Sequence, residues 1–263
     1  MVAMQKTIIV VPCYNEAARL NGNAFLSLVR TESGLSFIFV NDGSRDGTLK
    51  KIEEMSSKEP GHIHVINLSK NVGKAEAVRL GMLEALKEDA VFAGYWDADL
   101  AAPLSEIENL CRLFTCPDVI AVFGSRVKLL GKKIERRAVR HYLGRVFATL
   151  VSMILRLPVY DTQCGAKMFR NTETVRILFN KPFRVNWSFD VEVLARLKLL
   201  AESGRSVPVA SSVFECPLNE WGEVHGSKIK TKDFFSMAAE LVKIALFLYV
   251  PFLKRRYAAT VGL

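Results

Sequence analysis

The sequence predicts an α/β protein with a mostly parallel central sheet and helices on both faces. Short β-branched runs alternate with helical patterns through the first 125 residues. Polar residues collect just after five successive strand-like runs, where ligands bind in sheets of this kind. Half of the 263 residues are apolar, which is enough for a sizeable core.

The elements follow in order. "TIIVVP" (7–12) reads as a buried strand, and a helical pattern through Leu20, Phe25, Leu28 and Val29 follows it. "LSFIFVND" (35–42) is the second strand; Leu49, Ile52 and Met55 then recur at helical spacing. "HIHVINL" (62–68) and "VFAGYW" (91–96) are the third and fourth strands, separated by the helix "GKAEAVRLGMLEAL". "SEIENLCRLF" is a helix and "VIAVFGS" (119–125) a fifth strand. Residues 126–156 carry nine Lys/Arg against one acid, Glu135. Within them Val139, Tyr142, Leu143, Val146, Phe147, Leu150, Val151, Ile154 and Leu155 recur at helical spacing, so a basic amphipathic helix on a membrane surface competes with a core-packing helix. "DTQCGAKMFR" (161–170) and "VPVASSVFECPL" are strand-like, with the helix "SFDVEVLARLKLLAESG" (188–204) between them. Residues 234–256 are strongly apolar but interrupted by Glu240, Lys243 and Pro251, which suits a surface anchor or an oligomer contact better than a span, with a fully buried terminal helix as the alternative. The expected division is 1–230 as a catalytic domain and 231–263 as an apolar helix with a basic tail.

The net charge of +9 favours an anionic partner. Five cysteines, an odd number without zinc spacing, read as reduced thiols, and the N-terminus lacks signal-peptide architecture. A cytoplasmic protein, peripheral on a membrane, is expected. "PCYNEAARL" has no glycine-rich turn after the first strand, which excludes a nicotinamide-binding dehydrogenase. Tyr142 and Phe147 follow the apolar helical face and form no stacking surface for nucleic acid.

The strand-end residues suggest chemistry. Asp97 and Asp99 form a D-x-D pair that can hold a hard divalent cation against a diphosphate. Asp42 offers a carboxylate to a base or ribose, or equally completes a turn and helix cap. Gly73 and Lys74 begin a helix, where a diphosphate or nothing at all could sit. Arg126, Arg136 and Arg140 suit a phosphate monoester through the guanidinium fork.

"VPCYNEAARL", "VNDGSRDGT", "NVGKAEAVRLGM", "WDADL" and "GSR", in this order, resemble the family-2 glycosyltransferases of the GT-A fold. "DTQCGAKMFR", "WSFDVEVLAR" (187–196) and "NEWGEVHGSKIK" (219–230) are most similar to the branch that glucosylates dolichyl and other polyprenyl phosphates. The resemblance implies inverting transfer of a hexose, glucose from UDP-glucose, to a polyprenyl phosphate, with Mg²⁺ or Mn²⁺ as cofactor. Mannosyl or N-acetylhexosaminyl transfer is the near alternative, and a catalytically silent membrane scaffold the distant one. By the same resemblance Pro12, Tyr14, Glu16 and Asp42 hold the nucleoside, while Asp97 and Asp99 serve donor and metal. Arg126 and Arg140 hold the acceptor phosphate; Asp161, Gln163 and Cys164 line the sugar side; Trp187, Asp190 and Glu192 shape the sugar pocket. Ser227 and Lys228 meet the diphosphate from a closing loop. The acceptor is already an anion, so positioning and charge neutralisation outrank a strong base; Asp190 is the residue to test as one. Two departures from the related mannose synthases stand out: Ala101 replaces a metal-binding Gln, and Gly144 replaces an acceptor-side Ser.

Overall fold

The computed structural model describes residues 4–135, 138–224 and 231–263, without the side chains of 138–140 and 231–235. The chain runs β1 (Thr7–Cys13), α1 (Gly22–Thr31), β2 (Leu35–Asp42), α2 (Thr48–Lys58), β3 (Ile63–Leu68), α3 (Lys74–Lys87), β4 (Phe92–Trp96), α4 (Glu106–Cys111) and β5 (Ala121–Ser125). It continues through β6 (Lys133–Glu135), α5 (Ala138–Leu155), β7 (Ala166–Arg170), α6 (Glu173–Asn180), α7 (Phe189–Glu202), α8 (Val209–Ser212), β8 (Val213–Pro217), β9 (Glu220–Gly222), α9 (Thr231–Tyr249) and α10 (Pro251–Val261).

Seven strands form one sheet in the order β3-β2-β1-β4-β7-β5-β8, and β6 and β9 form a small second one. The large sheet is parallel except for β7, which runs antiparallel to both β4 and β5. That inversion has a consequence for the site. The N-terminal end of β7, at Cys164–Ala166, lies beside the C-terminal end of β4, where Trp96 pairs with Ala166. The segment "DTQCG" therefore joins the strand ends that carry the acidic pair.

Strand alternation divides the core. Ile8 and Val10 face a layer with α3, α6, α7 and the C-terminal helices, while Ile9 and Val11 face α1, α2 and α4. Helix α3 lies close on the sheet: a Cβ on Gly81 would stand 2.3 Å from a Val10 methyl.

Two expectations are corrected, and one alternative is decided. "VPVASSVFECPL" is not one strand, because Pro208 starts the short helix α8 before β8 begins at Val213. The apolar positions of α5 do not share one face. Val151 and Leu155 are buried, whereas Tyr142, Leu143, Val146, Leu150 and Met153 are exposed, because the apolar arc is wider than the core can cover. Residues 231–263 follow the buried-helix alternative in part: Leu241, Ile244, Leu248, Tyr257 and Val261 are buried in the same core as α7. Pro251 has no N–H to continue α9, and the chain turns by 98° between Ser236–Tyr249 and Pro251–Val261. Among the described residues no single helix is long and apolar enough to cross a membrane, though this bent pair passes by length and composition.

Candidate active site

The first-strand and second-strand loops are bound to each other. Asn15 sits at φ +50°, its N–H donates to the Ser44 hydroxyl at 3.0 Å, and its side-chain oxygen accepts from Arg45 N at 2.9 Å. Glu16 N donates to the Thr48 hydroxyl at 2.7 Å. The Glu16 carboxylate grips Arg19 through both oxygens, at 2.8 and 2.6 Å. Pro12 and Tyr14 are half-buried beside this junction.

Asp42 is almost fully buried at the end of β2. It accepts from Asn71 Nδ2 at 2.9 Å, Val72 N at 2.6 Å and Gly73 N at 3.0 Å. Three donors on one carboxylate hold the loop that delivers Lys74. Both readings of Asp42 from the sequence stay compatible with this, since a carboxylate has about four acceptor sites.

Lys74 then crosses to Asp97, with Nζ 2.5 Å from Oδ1. Desolvation in the cleft opposes the Lys74 charge, but Asp97 and Asp190 outweigh it and hold its pKa above the ordinary lysine value. Asp97 is pressed against the start of β7. Its N–H donates to Gly165 O at 2.9 Å, and a Cβ on Gly165 would lie 1.9 Å from Asp97 Oδ2. Only glycine admits that carboxylate. The turn continues through Asp99 to Leu100, which takes the left-handed φ of +53°. Asp99 accepts from Ala101 N at 3.2 Å and faces Arg19 NH1 at 3.7 Å. Burial, then the charge of Asp97, raises the Asp99 carboxyl above its usual range.

Arg126 and Asp161 form a second pair at the ends of β5 and the β7 approach. Asp161 Oδ2 takes Arg126 Nε at 2.6 Å and Oδ1 takes NH2 at 2.8 Å. Burial opposes the Arg126 charge, but the groups around it, Asp161 foremost, together hold its pKa above the ordinary arginine value, so the guanidinium stays charged. Glu215 on β8 holds the same loop by accepting from Tyr160 N at 2.7 Å and Asp161 N at 2.6 Å. Arg145 of α5 stacks 3.6 Å over the Tyr160 ring, which ties α5, with its exposed apolar residues, to the loop that carries Asp161. Gln163 is half-buried on this loop.

The first turn of α7 contributes Asp190, which pairs with Lys167 Nζ at 2.9 Å and accepts from the Tyr95 hydroxyl. Trp187, half-buried, precedes it; the backbone of Asn186, Trp187 and Ser188 donates to the Glu240 carboxylate of α9 at 2.9, 3.3 and 2.8 Å. An α9 side chain thus caps the helix that presents Asp190.

Two residues expected at the sugar side lie elsewhere. Glu192 has no exposed surface: Arg196 and Tyr257 occupy Oε1, and Arg184 N and Val185 N occupy Oε2. It is two residues from Asp190, about 200° around the helix, and faces the core. Cys164 is sealed as well, and burial pushes its thiol up to about 12; only its carbonyl takes part, accepting from Lys167. Arg136, Ser227, Lys228 and the Arg140 side chain lie outside the described residues. The motifs alone did not single out Arg19, Tyr95, Lys167 or Glu215. Lys167 carried the one available signal, a lone cation in the apolar strand "AKMFR".

A parallel sheet with one inverted strand and an acidic turn at the end of β4 defines a GT-A glycosyltransferase fold, and the chain belongs to glycosyl transferase family 2, whose family model matches residues 8–181. Its curated relatives are specific. It is 35% identical over 254 residues to a dolichyl-phosphate beta-glucosyltransferase of Trichomonas vaginalis, covering 92% of this chain and 71% of that one. It is 32% identical to the Saccharomyces cerevisiae enzyme of the same name, covering 90% and 73% of the two chains. Among solved structures, glucosyl-3-phosphoglycerate synthase from Mycobacterium tuberculosis, bound to Mn²⁺, UDP-glucose and phosphoglyceric acid, superposes with a TM-score of 0.64. That match covers 92% of this chain and 79% of the other at 15% identity, a likeness of fold.

Proposed function

We propose that this chain transfers glucose from UDP-glucose to dolichyl phosphate or a related polyprenyl phosphate, with inversion, at a membrane surface. One observation carries the reading. The Asp97–Asp99 turn and the Arg126–Asp161 pair stand at the ends of β4 and β5, on either side of the start of β7, and α5 is tied by Arg145 to the loop of the second. A charged donor and a lipid-borne phosphate then meet without either leaving its own medium. The names of the relatives support glucose and the dolichyl acceptor.

In this reading Glu16, Tyr14, Pro12 and Asp42 border the nucleoside, and Lys74 meets the diphosphate once Asp97 turns to it. Asp99 and Asp97 fit a hard cation: burial and the neighbouring Asp97 charge raise the Asp99 carboxyl, a penalty that a divalent ion would relieve. Among the described residues no three His, Cys, Asp or Glu groups form a metal set, so diphosphate oxygens and water would complete the shell. Mg²⁺ or Mn²⁺ there would neutralise charge on the departing UDP. Arg126, with Arg136 and Arg140, orients the acceptor phosphate, whose oxygen attacks the anomeric carbon as the bond to UDP breaks. Asp161 and Gln163 lie beside that path. Residues 1–230 carry the chemistry, while 231–263 complete the membrane face and cap α7 through Glu240. Attachment is peripheral, on the cytoplasmic face, through exposed Tyr142, Val146, Met153 and Phe252.

The test is transfer of labelled glucose from UDP-glucose to dolichyl phosphate in detergent or vesicles, with Mg²⁺ or with a chelator. A metal-dependent glucolipid is expected. Faster transfer from GDP-mannose or UDP-N-acetylglucosamine would replace glucose in the reading, and no transfer from any donor would overturn it.

A further inference from the structure

A lysine with no exposed surface lies beneath the aspartates. Lys167 stands on β7, two residues after the glycine that admits Asp97. Its ammonium meets Asp190 Oδ1 at 2.9 Å, donates to the Cys164 carbonyl, and rests 5.4 Å from the Tyr95 ring and 5.0 Å from the Phe123 ring. The Tyr95 hydroxyl donates to the same Oδ1. Both donors crowd one oxygen, and Oδ2 receives none among the described residues. A buried ammonium is costly to desolvate, and a methionine would fill such a strand position without that penalty. Packing alone therefore does not explain a lysine here.

The pair also reaches the cleft. Asp190 acts electrostatically on Lys74, the same half-exposed ammonium that holds Asp97. The Asp190 side chain keeps 7% of its surface accessible although Oδ1 is covered by Lys167 and Tyr95. It stands in the first turn of α7, where the helix dipole favours a carboxylate, and Glu240 holds the three residues before that turn. The Lys167 and Tyr95 contacts to Oδ1 restrict rotation of the Asp190 side chain, while Glu240 holds the backbone before it.

We propose that Lys167 and Tyr95 are positioning residues: they lock Asp190 through Oδ1, so that Oδ2 faces the cleft and accepts a hydrogen bond from a hydroxyl of the transferred hexose. This rests on the glycosyl-transfer reading. It gives Asp190 a task other than proton abstraction, which suits an acceptor that is already ionised. A locked carboxylate distinguishes hydroxyl positions, because a hexose presenting no hydroxyl there leaves a buried acceptor unpaired.

The experiment compares binding of UDP and UDP-glucose, each with Mn²⁺, to the wild type, Lys167→Met, Tyr95→Phe, Asp190→Asn and the Lys167→Met/Asp190→Asn pair. Calorimetry reads affinity, and steady-state transfer reads kcat and KM. Lys167→Met is expected to weaken UDP-glucose about tenfold with UDP held within twofold, and Tyr95→Phe to do the same more weakly. The double variant should bind UDP-glucose no worse than Asp190→Asn alone, since both changes remove one contact. Equal losses of UDP and UDP-glucose would reduce Lys167 to a structural part and overturn the proposal. So would unchanged UDP-glucose affinity, or losses that multiply in the double variant. If Lys167→Met does not fold, Tyr95→Phe and the charge-neutral double variant decide in the same way. A wild type that binds UDP but not UDP-glucose would instead overturn the glucose reading and the hexose contact with it. Selective loss in Lys167→Met supports the positioning role even where no lipid product forms.

Discussion

Asp190 and Glu192 lie two residues apart on α7, and the two regions they enter behave differently. Glu192 belongs to a sealed cluster. Its carboxylate is saturated by Arg196, Tyr257 and two backbone N–H groups, and Arg196 also donates to the carbonyls of Leu178, Lys181 and Pro182 at 2.8, 2.8 and 2.7 Å. Asp190 belongs to the cleft, where Asp97, Asp99, Lys74 and Arg19 are only partly covered and joined by bonds that a ligand can exchange. The sealed cluster fastens α7 to α6 and α10. The open one keeps charge available for a donor. One helix serves as both a structural tie and a wall of the site because one face packs into the core and the other borders the cleft.

The widest separation of the two regions comes from Glu192→Ala. It leaves the Arg196 charge buried without its carboxylate and should cost about 3–5 kcal/mol of stability, read by urea unfolding. Turnover per folded molecule should stay near that of the wild type; a specific loss of kcat would break the comparison. Asp99→Ala should do the reverse. Turnover is expected to fall on the order of 10²–10³-fold, with melting nearly unchanged, because Asp99 contributes one long hydrogen bond and a 3.7 Å ion contact to the fold. Tyr257→Phe sharpens the sealed side: it removes the 2.8 Å bond to Glu192 and should cost about 1–2 kcal/mol with no change in KM.

A smaller effect tests the sign of the cleft electrostatics. Burial and Asp97 raise the Asp99 carboxyl, so the folded protein binds that proton more tightly than the unfolded chain. The ionised group therefore opposes folding above its folded pKa, and the penalty disappears as pH falls through that value. In metal-free buffer Asp99→Asn should melt slightly above the wild type near neutral pH, with the gap closing toward about pH 4. A gap that widens on acidification would reverse the assignment. Least in stability terms is Phe252→Ser, expected within about 0.5 kcal/mol because the ring is 70% exposed. Binding to anionic phospholipid vesicles should nevertheless weaken, and unchanged binding would remove Phe252 from the membrane face.

Much of the fold was legible in the residues. Five strands and their intervening helices follow from β-branched runs and helical spacing, because both signals are local. The acidic turn after β4 was legible for the same reason: a strand that ends on "DAD" exposes those carboxylates at the sheet edge whatever packs elsewhere. The roles of the later motifs were less legible. Cys164 and Glu192 sit in the motifs that carry the family resemblance, yet both side chains turn inward. The apolar stripe of α5 was legible as a stripe, but not its split between core and exposed surface.

By itself the sequence determined the alternating α/β order, the place of Asp97 and Asp99 at a strand end, and the family. Each depends on neighbours within a few residues or on motifs in series. Tertiary structure alone decided that β7 enters the sheet upside down and brings Gly165 against Asp97. It also decided that Lys167 reaches Asp190, and that Glu192 meets a tyrosine 65 residues away. A helix places residues i and i+2 on opposite sides, but which side faces the cleft depends on what packs against it, and that information comes from distant segments of the chain.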